Sequence, residues 1–330
     1  MNPKKGTEIP RPDIGQAVYE TMAAAPTMGF IADLVLPYFR VNTQSGTYPV
    51  FPASSLFNTH ETRRADGSHY NRVEEQFESG RFGTEEHGLE MPIQDRFVAM
   101  YGSLFDYEVS VANILMGKIL RAREKRAADV LFNSSNFTAH AASAKWNLTT
   151  ADPKTDIETG KEALRAKGVA SNKLIIAWPT FRNLIKVTKV IDAVKDLFPD
   201  TAKTGTIELR HLEAYFDVSI ALAGSLANSS KKGQAASLSG IWSDSYAMLC
   251  RTANQGDDIT EPCVGRTFYW NEGAQEEVIV EEYYEPKVRG MVQRVRHDVS
   301  EHLLHSRNES TGAVVSAISK QCGYLFGTIK

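Results

Sequence analysis

Residues 65–90 read "ADGSHYNRVEEQFESGRFGTEEHGLE". The stretch is dense in acids and arginines, carries Tyr70, Phe77 and Phe82, and contains no lysine. Asp66-Gly67 and Ser79-Gly80 are dipeptides that favour tight turns. Between them Tyr70, Arg72, Glu74 and Gln76 alternate with Asn71, Val73, Glu75 and Phe77. The period is two, yet neither face is apolar. A strand pair polar on both faces has no core to lie on. The expectation is a hairpin that projects into solvent or lies on a partner. Just upstream, "TYPVFPASSLF" (47–57) reads as extended chain with two prolines.

The surrounding chain is ordinary in composition. Its 330 residues are 42% hydrophobic and 23% charged, enough for a sizeable core. A net charge of −3 argues against a general basic grip on nucleic acid. Cys250, Cys263 and Cys322 are widely spaced and form no CxxC pair, which excludes a zinc ribbon and fits a reducing compartment. The start, "MNPKKGTEIPRPDIG", lacks an apolar signal core, and no apolar run reaches the ~18 residues of a membrane span.

Residues 1–46 read as an arm punctuated by prolines, with one short helix, "DIGQAVYETMAA", capped by Asp13. "FIADLVLPYFRV" is apolar enough to need a covering partner. From Phe105 to Phe132 the spacing of Val111, Ile114 or Leu115, Ile119, Ala122, Ala127 and Val130 or Leu131 predicts a long helix with Asp106 as N-cap. It would span roughly 40 Å at 1.5 Å per residue. Arg121, Arg123, Lys125 and Arg126 are assigned to its other faces. A central α/β region follows: a helix over 156–168, a buried strand "KLIIAW", one helix over 179–198, and a second buried strand in "FDVSIALAG". "RTFYW" and "EEVIVEEYYE" read as strands, and "GYLFGTIK" as a last strand added to a neighbouring sheet.

No residue set carries chemistry. His60-Glu61 and Glu85-Glu86-His87 offer imidazole and carboxylate, but HExxH is absent and solvated loops hold metals poorly. In "HDVSEHLLH", His297, Glu301 and His305 would share a face on a helix but not on a strand, and the flanks read as strand. They are taken as structural polar residues near an interface. Ser225 lies in AGSLA and not in the GxSxG of a nucleophile elbow, and no phosphate-binding glycine loop occurs. The thiols read as buried. Trp146, Trp178, Trp242 and Trp270 read as core and interface anchors.

The order of these pieces resembles that of the tailed-bacteriophage major capsid proteins with the Hong-Kong-97-type fold. The residues that carry the resemblance are "TYPVFPASSLF", "YNRVEEQFESGRFGTEEHGLEMPI", "ILRAREKRAADVLFN", "NKLIIAWPTFRNL", "GIWSDSYAML", "GRTFYW" and "VIVEEYYEPKVRG". The resemblance implies an α+β chain divided into an N-terminal arm (1–46), an E-loop β-hairpin (47–100), a P-domain spine helix (101–140), an α/β A-domain (141–264), the P-domain β-strands (265–305) and a C-terminal return to the A-domain (306–330). It implies self-assembly into pentamers and hexamers of an icosahedral shell around double-stranded DNA held without sequence specificity. No enzyme activity, cofactor, metal or membrane is expected. The expected partners are other copies, a portal, a separate scaffolding protein and a cement or decoration protein, with assembly in the host cytoplasm and residence in the virion capsid. The short arm and Met1 favour a separate scaffold over a fused one. The inter-subunit contact is expected from Arg63, Arg64, Tyr70, Arg72, Glu74, Glu75, Phe77, Arg81, Phe82, Glu85 and Glu86.

One departure matters. The fold's type member links an E-loop lysine to a neighbour's asparagine, whereas here no lysine occurs between Lys5 and Lys118. Contacts at this loop are therefore expected to be noncovalent. An encapsulin-type compartment on the same fold is the alternative, and a cytosolic α/β enzyme with a dimerising hairpin the distant one.

Overall fold

The computed structural model describes residues 9–50, 59–64, 66–67, 69–73, 78–198, 206–230, 233–254, 258–271, 277–307, 314–316 and 318–330. Two sheets share one long helix, and the sequence pattern accounts for how.

The first sheet is built on the strand Gly290–His302. One of its edges pairs antiparallel with Glu85–Gln94 over residues 290–299. Its other edge is filled twice, by Ile279–Glu285 opposite 290–296 and by Arg266–Trp270 opposite 298–302. Tyr38–Val41 then pairs parallel with Arg266–Trp270, and Ile9–Pro10 pairs with Ile279–Glu285. The second sheet runs in the order Ala139–Ala141, Gly323–Gly327, Ala247–Cys250, Lys173–Ala177, Ser219–Ala223. The expected last strand in "GYLFGTIK" is thus observed inside this sheet.

Both faces of the second sheet are buried, and period two divides its side chains. Leu174, Ile176, Ala247, Leu249 and Phe326 face one core, and Ile175, Ala177, Met248, Cys250 and Leu325 the other. Ile157 and Leu164 of the helix Pro153–Arg165 cover the first face, with Leu212 and Phe216 of the helix Leu209–Phe216. The second face is covered by Ile31, Ala32, Val35 and Leu36 and by the last turns of the long helix. The outer edge of Ser219–Ala223 is blunted: Ile220 N–H donates to Glu213 Oε1 at 2.8 Å, and Gly224 N–H to Gly29 C=O at 3.0 Å. Gly29 has φ +82°, and a Cβ there would lie 2.7 Å from Gly224 Cα, so this crossing of two chain segments admits only glycine.

The long helix is observed at Tyr107–Leu131, and Asp106 Oδ1 accepts from Val109 N–H at 3.1 Å as its N-cap. Its buried residues come in pairs every four positions: Val111-Ala112, Leu115-Met116, Ile119-Leu120, Arg123-Glu124, Ala127-Ala128. The first three pairs pack with Ile14 and Val18 of the helix Pro12–Ala23 and with Val280 and Val295 of the first sheet. The last pair packs on the second sheet. One helix therefore belongs to two cores.

Several local expectations are corrected. Arg123 lies in the buried stripe and not on a solvent face. Arg11, not Asp13, is the N-cap of the first helix, because Pro12 takes the first helical position and moves the start upstream. The expected helix 179–198 is two, Trp178–Leu184 and Thr188–Leu197, with a break that seats Val187 in the core. Ser79-Gly80 is not a turn but lies in the strand Glu78–Gly83, paired with Ser45–Val50. Gly80 serves there because a Cβ would strike the Tyr48 ring at 2.2 Å.

Candidate inter-subunit interface

The hairpin expected to contact a neighbour has a packed root and an exposed limb. At the root, Tyr48 and Phe82 are drawn onto Phe268, with ring centroids 5.5 and 4.9 Å away, the Phe82 pair stacked. Tyr48 Oη donates to His305 C=O at 3.0 Å and accepts from His305 N–H at 3.2 Å. Thr84 N–H donates to Gln44 C=O at 2.8 Å and closes the base. Farther out, residues 59–64 and 69–73 form no strand and are exposed. Asn71 Nδ2 donates to Glu61 C=O at 2.7 Å, the Arg64 guanidinium lies 4.5 Å from the Tyr70 ring centre, and Gly67 turns the chain at φ +78°. These contacts tie the two sides of the limb together without a core.

The expected contact residues therefore divide. Arg63, Arg64, Tyr70, Arg72 and Arg81 are exposed, Tyr70 to 74%. Glu74, Glu75 and Phe77 lie outside the described residues. Phe82 is engaged by its own chain. Glu85 and Glu86 belong to the strand Glu85–Gln94 of the first sheet. Glu86 there stands 3.9 Å from Arg296, in a ladder in which Arg296 also meets Glu281 at 3.0 Å and Arg294 meets Glu90 at 3.2 Å.

The approach to the hairpin is held by a buried polar cluster that the sequence reading missed. Glu124 accepts from Ile31 N–H and Ala32 N–H, each at 2.9 Å, and from Trp242 Nε1 at 2.6 Å. Burial pushes its pKa up, against the pull of these donors and of Arg123. Arg123 pairs with Asp33, donates to Thr267 Oγ1 at 3.3 Å and lies 4.0 Å from the centre of the Tyr38 ring. Arg126 grips Glu301 with two bonds of 2.8 and 2.9 Å. Helix, arm and sheet are thus joined just before the chain enters the strand Ser45–Val50. The missed signal was periodic: Arg123 and Glu124 fall four residues after Ile119 and Leu120 and four before Ala127 and Ala128.

His297 and Glu301 do share a face, because four residues along a strand is two periods; the expectation that a strand would separate them is corrected. His297 is buried against His87, ring centroids 6.0 Å apart, and among the described residues neither ring nitrogen has a hydrogen-bond partner. Burial, then Arg123, Arg126 and His87, hold its pKa down to about 3. Burial also lowers that of His87. Among the described residues no cluster of His, Cys, Asp or Glu has the makings of a metal site. Burial pushes the thiols up, Cys263 to about 11 and Cys322 to about 12, far from a nucleophile's range. Trp146 and Trp242 are core residues, whereas Trp178 is half exposed.

No protein-family model matches the chain. Over 173 residues it is 30% identical to the major capsid protein of Burkholderia phage BcepMu, which is 50% of this chain and 55% of that protein. The chain thus spans about half the length of the curated relative it matches. A phage-related protein from Bordetella bronchiseptica superposes with a TM-score of 0.69 over 98% of both chains, at 18% identity. A virus-like particle from Pyrococcus furiosus does so at 0.55, over 94% of this chain and 98% of that one, at 11% identity. A chain of Mycobacterium phage Adephagia does so at 0.53, over 91% and 90%, at 10% identity. Likeness at such identities speaks to the fold, and the fold is the α+β Hong-Kong-97-type capsid fold.

Proposed function

We propose that this chain is a major capsid protein, assembling into pentamers and hexamers of an icosahedral shell around the double-stranded DNA of a tailed bacteriophage. The observation that carries the reading is the likeness of fold across 98% of the chain to a phage-related protein, with a sequence relative named as a phage major capsid protein. The physical arrangement supports it: a hairpin packed at its root and polar at its limb gains little on its own subunit and much on a second one. Residues 1–46 act as the arm, 47–100 as the E-loop, 101–140 and 265–305 as the P-domain, and 141–264 with 306–330 as the A-domain. Arg63, Arg64, Arg72 and Arg81, with Glu74 and Glu75, meet the neighbouring subunit through charge-assisted bonds and Tyr70 and Phe77 through their rings, while Phe82 anchors the loop's root. A net charge of −3 suits a container that must not hold its DNA tightly. Portal, separate scaffold and cement proteins are the partners, and assembly takes place in the host cytoplasm.

Electron microscopy of the expressed chain tests this. Shells, or rings and tubes of capsomers, are expected; a uniform small oligomer under every condition overturns it. The likeness to a virus-like particle favours a second reading, a protein compartment. Particles purified from infected cells decide between the two by their contents, DNA or a protein cargo.

A further inference from the structure

The helix Asp95–Tyr101 buries none of its residues. Phe97, Met100, Tyr101, Leu104 and Phe105 are 36, 52, 37, 75 and 45% exposed. A helix this short is marginal in water unless packing supports it. Its ties to its own chain are few: Asp95 N–H donates to Arg289 C=O at 3.2 Å, and Val98 touches the core beneath the long helix. Yet its rings are ordered. Phe97 and Tyr101 stack at 6.4 Å, Tyr101 and Phe105 at 6.2 Å, and Phe105 and Tyr107 lie 5.9 Å apart. A preordered, solvent-facing aromatic row has the composition of an interface centre.

The charges around the row say what covers it. At its start stand Arg96, Lys287 and Arg289, all exposed, and Asp95 leaves that end positive. At its other end stand Asp106, exposed, and Glu108, which also meets Arg11 at 3.3 Å. A second copy laid antiparallel sets the basic end against the acidic end on both sides. A parallel copy sets like against like, which electrostatics disfavours. We infer that the row Phe97–Tyr107 is an isologous two-fold contact between copies of this chain, centred near Tyr101, with the rings at its core and the charged ends at its rim. The inference deepens the shell reading by naming one of its contacts, and it can stand or fall separately.

The test is oxidative cross-linking of the full chain. Cys250, Cys263 and Cys322 are buried and do not compete. Tyr101→Cys stands near its own mate across the axis and is expected to run mostly as a covalent dimer on a non-reducing gel. Arg96→Cys and Asp106→Cys are each expected to stay monomeric, and to cross-link when mixed. Adding Leu104→Glu to Tyr101→Cys is expected to lower the dimer yield at least ten-fold. Well-formed shells in which Tyr101→Cys stays monomeric, or in which Arg96→Cys links to itself, overturn the inference and leave the shell reading intact. A folded chain that forms no shells yet cross-links as described overturns the shell reading and leaves this contact standing.

Discussion

Glu124 shows how much can depend on one residue. Its carboxylate satisfies two backbone donors and one indole where water does not reach. Glu124→Ala strands all three, and each buried orphan costs about 1–3 kcal/mol. The expected loss is therefore several kcal/mol, read as a lower denaturant midpoint of the unassembled chain, with Glu124→Gln falling between. His297 makes a different prediction, in pH. Its folded pKa is about 3, against ~6.5 in an unfolded chain. Between those values the unfolded chain binds a proton that the folded chain does not, so stability falls as pH drops from about 6.5 toward 3 and levels off below. The slope from this residue is at most about 1.4 kcal/mol per pH unit. His297→Leu is expected to flatten the curve of unfolding midpoint against pH in that window; an unchanged slope would remove the imidazole from the account. His87, lowered for the same reason, acts in the same sense.

At the scale of elements, the hairpin separates folding from contact. Its root holds because Tyr48 and Phe82 pack on Phe268 and because Gly80 leaves room for the Tyr48 ring. Gly80→Val forces that ring out and is expected to cost about 1–3 kcal/mol locally. Limited proteolysis should then cut residues 59–73 faster, while cleavage elsewhere is unchanged. The limb behaves oppositely. Arg63→Glu together with Arg64→Glu touches no core and should leave the unfolding midpoint of the unassembled chain within about 0.5 kcal/mol of the original. Shell yield by sedimentation is expected to fall at least ten-fold. Intact yield would show that the limb's charges do not face a neighbour.

For the whole molecule, the long helix links two cores, so the two sheets share one support. Its first half packs over the first sheet and its last turns seal the second. A load taken by the hairpin root or by the row Phe97–Tyr107 can reach the second sheet through that helix. Assembly by such contacts is expected to be noncovalent at the hairpin, since residues 6–117 contain no lysine. Denaturing gels of mature particles are expected to show a single monomer band. A ladder of covalent multimers would contradict this.

The elements of this protein were largely written in local pattern. The helix over 107–131 and its Asp106 cap follow from periodicity and capping chemistry, and the strands Lys173–Ala177 and Ser219–Ala223 follow from continuous apolar runs. The polar two-faced stretch at 70–77 already implied a segment with no core of its own. Tertiary structure decided what local pattern leaves open. Arg123 looked like a solvent residue because charge normally stays in water; it and Glu124 are buried because Asp33, Glu301, Trp242 and two backbone amides come from segments far away in the chain to meet them. Ser79-Gly80 looked like a turn because glycine permits one, and became strand because Tyr48 needed the space. Glu85 and Glu86 looked like loop charge until the strand Gly290–His302, some two hundred residues on, supplied the partner edge. Pattern along the chain reports a residue's own preferences; pairing between distant segments decides which of those preferences the fold uses.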